Sequence, residues 1–263
     1  MKSSVYKAFI KKDLKTVFGD KLIYLPVVIV PAIFCIILPL GFIIGANFMP
    51  ESTMNADFKN LPLPEELSHL NMNEKFLYMS LNTIFPSLFL LIPVMSASII
   101  AGTGFVGERE NKTIESILYT PVSTTDIFNA KVLSAFIPSF IYTIFTFLVF
   151  LLIIFIGILI SEVKIVFPYE KWLVLIFWLS PAIALLSVFI MVLVSAKAKT
   201  FQQAQQRIVY IILPVILIGV GQISGLFIVN TFIIFLLGLL VFVSDYFLYK
   251  FCINSFIPEK LIT

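Results

Sequence analysis

Gly107-Glu108-Arg109-Glu110-Asn111-Lys112-Thr113-Ile114-Glu115-Ser116-Ile117-Leu118-Tyr119-Thr120-Pro121 is a charged island between two long apolar runs, 76–105 and 132–160. Apolar runs of that length read as membrane spans. A segment this polar between them must lie outside the lipid, where its backbone and charges find hydrogen-bond partners. Its order is specific: an acidic-basic-acidic triplet, a helix start, apolar residues, then a proline stop at Pro121. Ile114, Ile117 and Leu118 recur at helical spacing, with Lys112 and Glu115 on the polar side. This predicts a short amphipathic helix parallel to the membrane, entered through a Glu-Arg-Glu triplet that breaks the preceding span. Ser123-Thr124-Thr125-Asp126 offers the next helix start, with Ser123 as N-cap and Asp126 near N3. That helix runs through Lys131 into the third span.

Composition agrees with a polytopic membrane protein. Hydrophobic residues make up 60% of the 263 and charged residues only 13%, with a mean hydropathy of +1.05. A soluble domain is about 45–50% apolar and about 25% charged, and no soluble core of this size could hide the surplus. Windows of about 20 residues, enough to cross a bilayer, give six spans at 22–47, 76–105, 132–160, 172–195, 208–227 and 231–249. The last two are nearly continuous and are divided around 225–230, since one helix of over forty residues would overshoot any bilayer. Around them lie an N-terminal segment 1–21, an outer loop 48–75, the island loop 106–131, an inner loop 196–207 and a tail 251–263; the span-bearing domain is 22–250. Cys35 and Cys252 lie far apart in this layout and read as unpaired.

Lys and Arg set the orientation. They crowd the N-terminal segment (Lys2, Lys7, Lys11, Lys12, Lys15, Lys21), the island and the loop after span four (Lys197, Lys199, Arg207). The opposite loops are acidic, with Glu51, Asp57, Glu65, Glu66 and Glu162. Both termini and the island are therefore expected in the cytoplasm. Residues 3–21 place Tyr6, Phe9, Ile10, Leu14, Val17 and Phe18 on one helical face and Lys7, Lys11 and Lys15 on the other. That is a basic amphipathic helix expected at the cytoplasmic interface. Prolines interrupt nearly every span, each removing a backbone bond that neighbouring helices must absorb; they fit a protein that changes shape as well as ordinary membrane-helix composition. Gly41-xxx-Gly45 and Gly221-xxx-Gly225 have the spacing of close helix approach, within a subunit or between subunits.

Several chemistries are excluded. The chain has no Gly-x-x-x-x-Gly-Lys-Ser/Thr run to cradle a nucleotide phosphate and no His-Glu-x-x-His, and its one histidine is His69. Gly221-Gln222-Ile223-Ser224-Gly225 has the wrong spacing for a serine nucleophile turn and no intramembrane base. Asp245 is the one acid in an apolar run, read as lying near the inner end of span six and snorkelling towards Lys250 or the headgroups. With no carboxylate at mid-depth, an ion-coupled transporter is disfavoured and the energy source is expected elsewhere. Polar residues inside spans are costly unless they face protein or water. Asn82 and Ser87 in span two and Gln222 and Ser224 in span five are accordingly candidates for a substrate pathway, with helix packing the alternative.

The island and its flanks, with Ile127 and Lys131, resemble the signature of type 2 ABC exporter permeases, the ABC-2 type. That pattern is roughly Glu-x-Glu-x-x-Thr-x-Glu-x-Leu-Leu-x-x-Pro, then an Ile and a Gly-Lys pair. This chain matches it at Glu108, Glu110, Thr113, Glu115, Leu118 and Pro121, and departs with Ile117 for the first Leu and Ala130 before Lys131. The six-span layout, the amphipathic N-terminal helix and the Gln-rich run 199–207 are similar to the family too. The resemblance implies an all-α integral membrane fold: a six-helix transmembrane bundle with an N-terminal interfacial helix and a cytoplasmic coupling helix between spans two and three. It implies that Glu108, Arg109, Glu110, Lys112, Thr113, Ile114, Glu115, Leu118 and Pro121 couple the chain to a separate ABC ATPase. Two ATPase copies and a second permease, a homodimer, would complete the unit in a prokaryotic cell membrane. ATP and magnesium would belong to the ATPase, leaving this chain without cofactor, metal, catalytic residue or nucleic-acid partner. The expected function is export from the cytoplasm of a substrate such as a small or amphipathic peptide. Sodium or drug extrusion, or a non-transporting immunity or sensor protein, are the alternatives.

Overall fold

A computed structural model describes residues 2–48, 70–111, 123–160, 166–198, 200–223 and 229–255. These residues are almost all helical, without a strand among them. Six helices are long and apolar enough to cross a membrane: Ile23–Phe48, Met72–Glu110, Thr124–Ile160, Tyr169–Ser195, Phe201–Gln222 and Thr231–Asn254, here spans one to six. An N-terminal helix, Lys2–Gly19, precedes them. The fifth span opens with a short Gln-rich helix, Phe201–Arg207, before its main helix Val209–Ile223. Helix Thr231–Ser255 comes next, so spans five and six are separate helices as expected.

Spans two and four form the centre. In span two 83% of the most apolar window is buried, against 17% in span six. Hydrophobicity cannot produce that difference, since lipid is as apolar as a helix face; small residues can, by letting backbones approach. Span two supplies Ser96, Ala97, Ser98, Ala101 and Gly102, and span four Ser180, Ala182, Ala184 and Ser187, all buried. Span three packs on span two, span six on span four and span five on span two. Gly219 brings span five within 3.0 Å of Ser87, measured from where a Cβ would stand. Gly41, by contrast, meets open space, so the Gly41-xxx-Gly45 spacing is not used for packing at that residue.

Prolines shape the helices in a regular way. Four π-helical turns occur among the described residues, Ile33–Ile37, Ser80–Ile84, Thr103–Gly107 and Leu175–Leu179. Three of them end two residues before a proline: Pro39, Pro86 and Pro181. A proline ring clashes with the carbonyl four residues back and offers it no N–H, and a widened turn relieves both. Where a carbonyl is left over, a neighbouring helix takes it. Pro31 frees Val27, whose carbonyl accepts from the Tyr142 hydroxyl at 2.6 Å. Pro86 frees the end of its turn, where Trp172 Nε1 donates to the Leu81 carbonyl at 3.1 Å and Lys171 Nζ to that of Asn82.

Three expectations are corrected. The Glu-Arg-Glu triplet does not break span two; it is the last turn of a helix that continues to Glu110. Asp245 does not snorkel. It stands near the middle of helix Thr231–Ser255, 4% exposed, with no hydrogen-bond partner on either oxygen among the described residues. The Lys250 ammonium lies instead 4.6 Å from the Tyr246 ring centroid. In the N-terminal helix Lys11 and Lys15 are exposed as expected, but the buried stripe runs through Asp13 and Val17, and Phe18 is exposed. That stripe packs against span three. Both cysteines are free and buried.

Candidate functional site

Glu108 directly follows the π turn Thr103–Gly107 and is only 4% exposed. One carboxylate oxygen pairs with Lys12 of the N-terminal helix and the other with Lys131 of span three. Lys131, 1% exposed, also donates to the Gly104 carbonyl at 2.7 Å and sits 5.2 Å from the Phe105 ring centroid. Asp13 accepts from Ser134 Oγ and lies 3.8 Å from the Lys12 ammonium. Two cations thus face two carboxylates. A buried pair persists only when its charges balance and its remaining donors are met; here the charges balance, Lys131 also reaches the Gly104 carbonyl and Lys12 is half open to solvent. Burial pushes the Asp13 carboxyl above its ordinary range, against the pull of Ser134 and the two lysines.

The next two residues reach the other side of the bundle. Arg109 donates to the carbonyls of Ser195 and Ala196 at 3.3 and 3.4 Å, the unpaired end of span four. Glu110 accepts the Phe201 N–H at 2.9 Å, at the start of the Gln-rich helix, where Thr200 Oγ1 caps Gln203 N. Gly102 makes room for this helix, since a Cβ there would stand 2.7 Å from the Phe201 ring. Asn111 closes the turn onto the Gly107 carbonyl. Ser123 and Asp126 then form the expected cap, Asp126 N donating to Ser123 Oγ at 3.1 Å and Ser123 Oγ to the Asp126 carboxylate at 2.8 Å.

Of the residues expected to couple to an ATPase, Glu108, Arg109 and Glu110 therefore hold the chain's own elements together. Lys112, Thr113, Ile114, Glu115, Leu118 and Pro121 lie outside the described residues. Sequence reading missed Lys12 and Asp13, because an acid beside a lysine on a basic helix looks like a solvated face. The available signal was Asp13 falling in register with Ile10, Leu14 and Val17. Among the pathway candidates, Ser87 and Gln222 are buried and bonded to each other at 3.1 Å, and the Asn82 carbonyl accepts from Lys171. Ser224 lies outside the described residues. No three His, Cys, Asp or Glu among the described residues are grouped to hold a metal ion.

A family model described as ABC-2 family transporter protein matches residues 8–233. No curated protein and no solved structure matches the chain. Proteins of this family are transmembrane components that work with an ABC ATPase. The match spans the N-terminal helix, the Glu108 cluster and the first five spans, and the chain belongs to the ABC-2 transporter family as the membrane permease of an ABC transporter.

Proposed function

We propose that this permease is an exporter subunit, driven by a separate ATPase that docks on the loop beginning at Glu110. The observation that carries the reading is the junction at Glu108-Arg109-Glu110. Through it the start of the loop is tied to the N-terminal helix, to spans three and four and to the Gln-rich helix. A push on residues 112–121 would therefore reach most of the bundle at once. Two permeases and two ATPases form the working unit, with ATP and magnesium on the ATPase, in a prokaryotic cell membrane. Both termini and the junction face the cytoplasm on this reading, so thiol labelling of cysteines should find Lys11, Asn111, Gln203 and Glu259 inside and Asn55 and Glu162 outside. Asn111 found outside would end the coupling role. Co-expression with an ATPase, and a disulfide or crosslink from a cysteine at Leu118, tests the docking directly.

The Phe-rich, charge-poor interior favours an amphipathic peptide as substrate. The route proposed along spans two and five predicts that cysteines at Asn82 and Gln222 change accessibility when ATP is added. The buried Asp245 supports a second reading, cation extrusion by the same machinery. It also means that the separate energy source rests on the family, not on a lack of acids at mid-depth. An Asp245→Asn variant that loses sodium tolerance but keeps peptide export would favour the cation.

A further inference from the structure

Spans five and six pack on different neighbours, span five on span two and span six on span four. Between them runs a half-open groove of about 220 Å³, lined by Ser87, Lys171, Leu179, Ile183, Val215 and Leu237 among others. It tracks span four from Lys171 to Ile190, roughly 28 Å at 1.5 Å per residue. A space that narrow and that apolar suits a hydrocarbon chain and not a compact ligand, and an ordinary acyl chain would occupy the part nearest Lys171. Its one charged group, Lys171, stands at the end opposite the Glu108 cluster, towards which the Ser87–Gln222 pair also lies, while Tyr210 lines the other end. Lys171 is 5% exposed and donates to a neutral acceptor, the Asn82 carbonyl. No carboxylate among the described residues pairs with it. A buried ammonium that meets only neutral groups among the described residues is costly, and an anion beside it removes the cost.

We infer that the groove between spans five and six binds an anionic phospholipid, with one acyl chain along the groove and its phosphate on Lys171. Charge selects the head and the shape selects the chain. The second acyl chain stays in the bilayer on the open side. The groove shares Ser87 and Gln222 with the substrate route proposed above, so lipid retention is read without ATPase, ATP or exported substrate present.

Native mass spectrometry of the full chain tests it, after purification in detergent with equal phosphatidylglycerol and phosphatidylcholine. The wild type should retain one phosphatidylglycerol per chain in preference to phosphatidylcholine. Lys171→Gln should lower that retention about tenfold, the factor that 1.4 kcal/mol gives, and Lys171→Arg should keep it. Val241→Phe, which places a ring in the groove and leaves Lys171 alone, should also displace the lipid. It decides the matter if Lys171→Gln does not fold. Equal retention of both lipids by the wild type overturns the site, as does a phosphatidylglycerol preference that survives Lys171→Gln or, failing that, Val241→Phe. A co-purified peptide in the groove in place of lipid overturns it as well.

Discussion

The Glu110 carboxylate accepts the backbone N–H of Phe201 at 2.9 Å, across 91 residues of chain. An anion at a helix start is favourable, because the first N–H groups have no partner within the helix. The bond makes the two loops on this side of the bundle one body. The loop after span two and the loop after span four cannot move apart without breaking it, nor without breaking the Arg109 bonds beside it.

Glu108 is the residue whose loss should cost most. Glu108→Gln leaves Lys131 buried and unbalanced, and should destabilise the chain by about 3 kcal/mol. Thermal unfolding in detergent measures it. Adding Lys131→Met to Glu108→Gln should recover much of the loss, and a double variant no more stable than the single one would show that the pair is not coupled.

Residues 112–121 should behave differently. A proline at Ile114 should stop transport, or uncouple ATP hydrolysis from it, while the unfolding temperature stays within a degree or two of the wild type. Surface changes away from packed features usually stay within about 0.5 kcal/mol. Transport that survives the proline would remove the coupling helix from the mechanism.

Tyr142 should matter because of Pro31. Tyr142→Phe removes the hydrogen bond to the Val27 carbonyl and should cost about 1 kcal/mol. In a Pro31→Ala background residue 31 regains an N–H for that carbonyl, so the same Tyr142→Phe change should cost less. A double-mutant cycle gives the coupling energy, and a value near zero would mean that the hydroxyl and the proline gap are independent.

Asp13 should leave a signature in pH. Its carboxyl is raised in the folded chain above the ordinary value of 3.8 by burial. The unfolded chain therefore releases this proton first, so the contribution to stability is full below that value and is lost as pH rises through the higher folded one. The wild type should lose stability relative to Asp13→Asn as pH rises from about 4, the ordinary carboxyl range, measured by unfolding temperature. A constant difference across that range would mean that Asp13 is not shifted.

The spans, the division of the last two around 225–230 and the Ser123 cap were legible, because length, hydropathy and local side-chain chemistry determine them. The central place of span two could also have been read from its small residues. Glu108 was found for its neighbours in sequence, but its burial was not visible, since Lys12 and Lys131 come from elements far away in the chain. Lys171 was hidden by a boundary: span four read as starting at Trp172, whereas its helix starts at Tyr169. Asp245 was misplaced because Lys250 offered a plausible escape, and only the packing of span six on span four closes it off.

The π turns have a meaning for the gene as well as for the helix. Each closes its hydrogen-bonded ring over one residue more than an α turn, so each holds one residue that an α-helical stretch of the same reach would not need. Removing one residue from Thr103–Gly107 returns that stretch to α geometry and leaves Glu108 facing Lys12 and Lys131. Removing Ala97, in regular helix, turns Glu108 by about 100° away from both. Chain length should therefore tolerate the loss of one residue at 103–107, where no proline follows, and is fixed in the helical stretches and at 33–37, 80–84 and 175–179, where the wider turn relieves Pro39, Pro86 and Pro181.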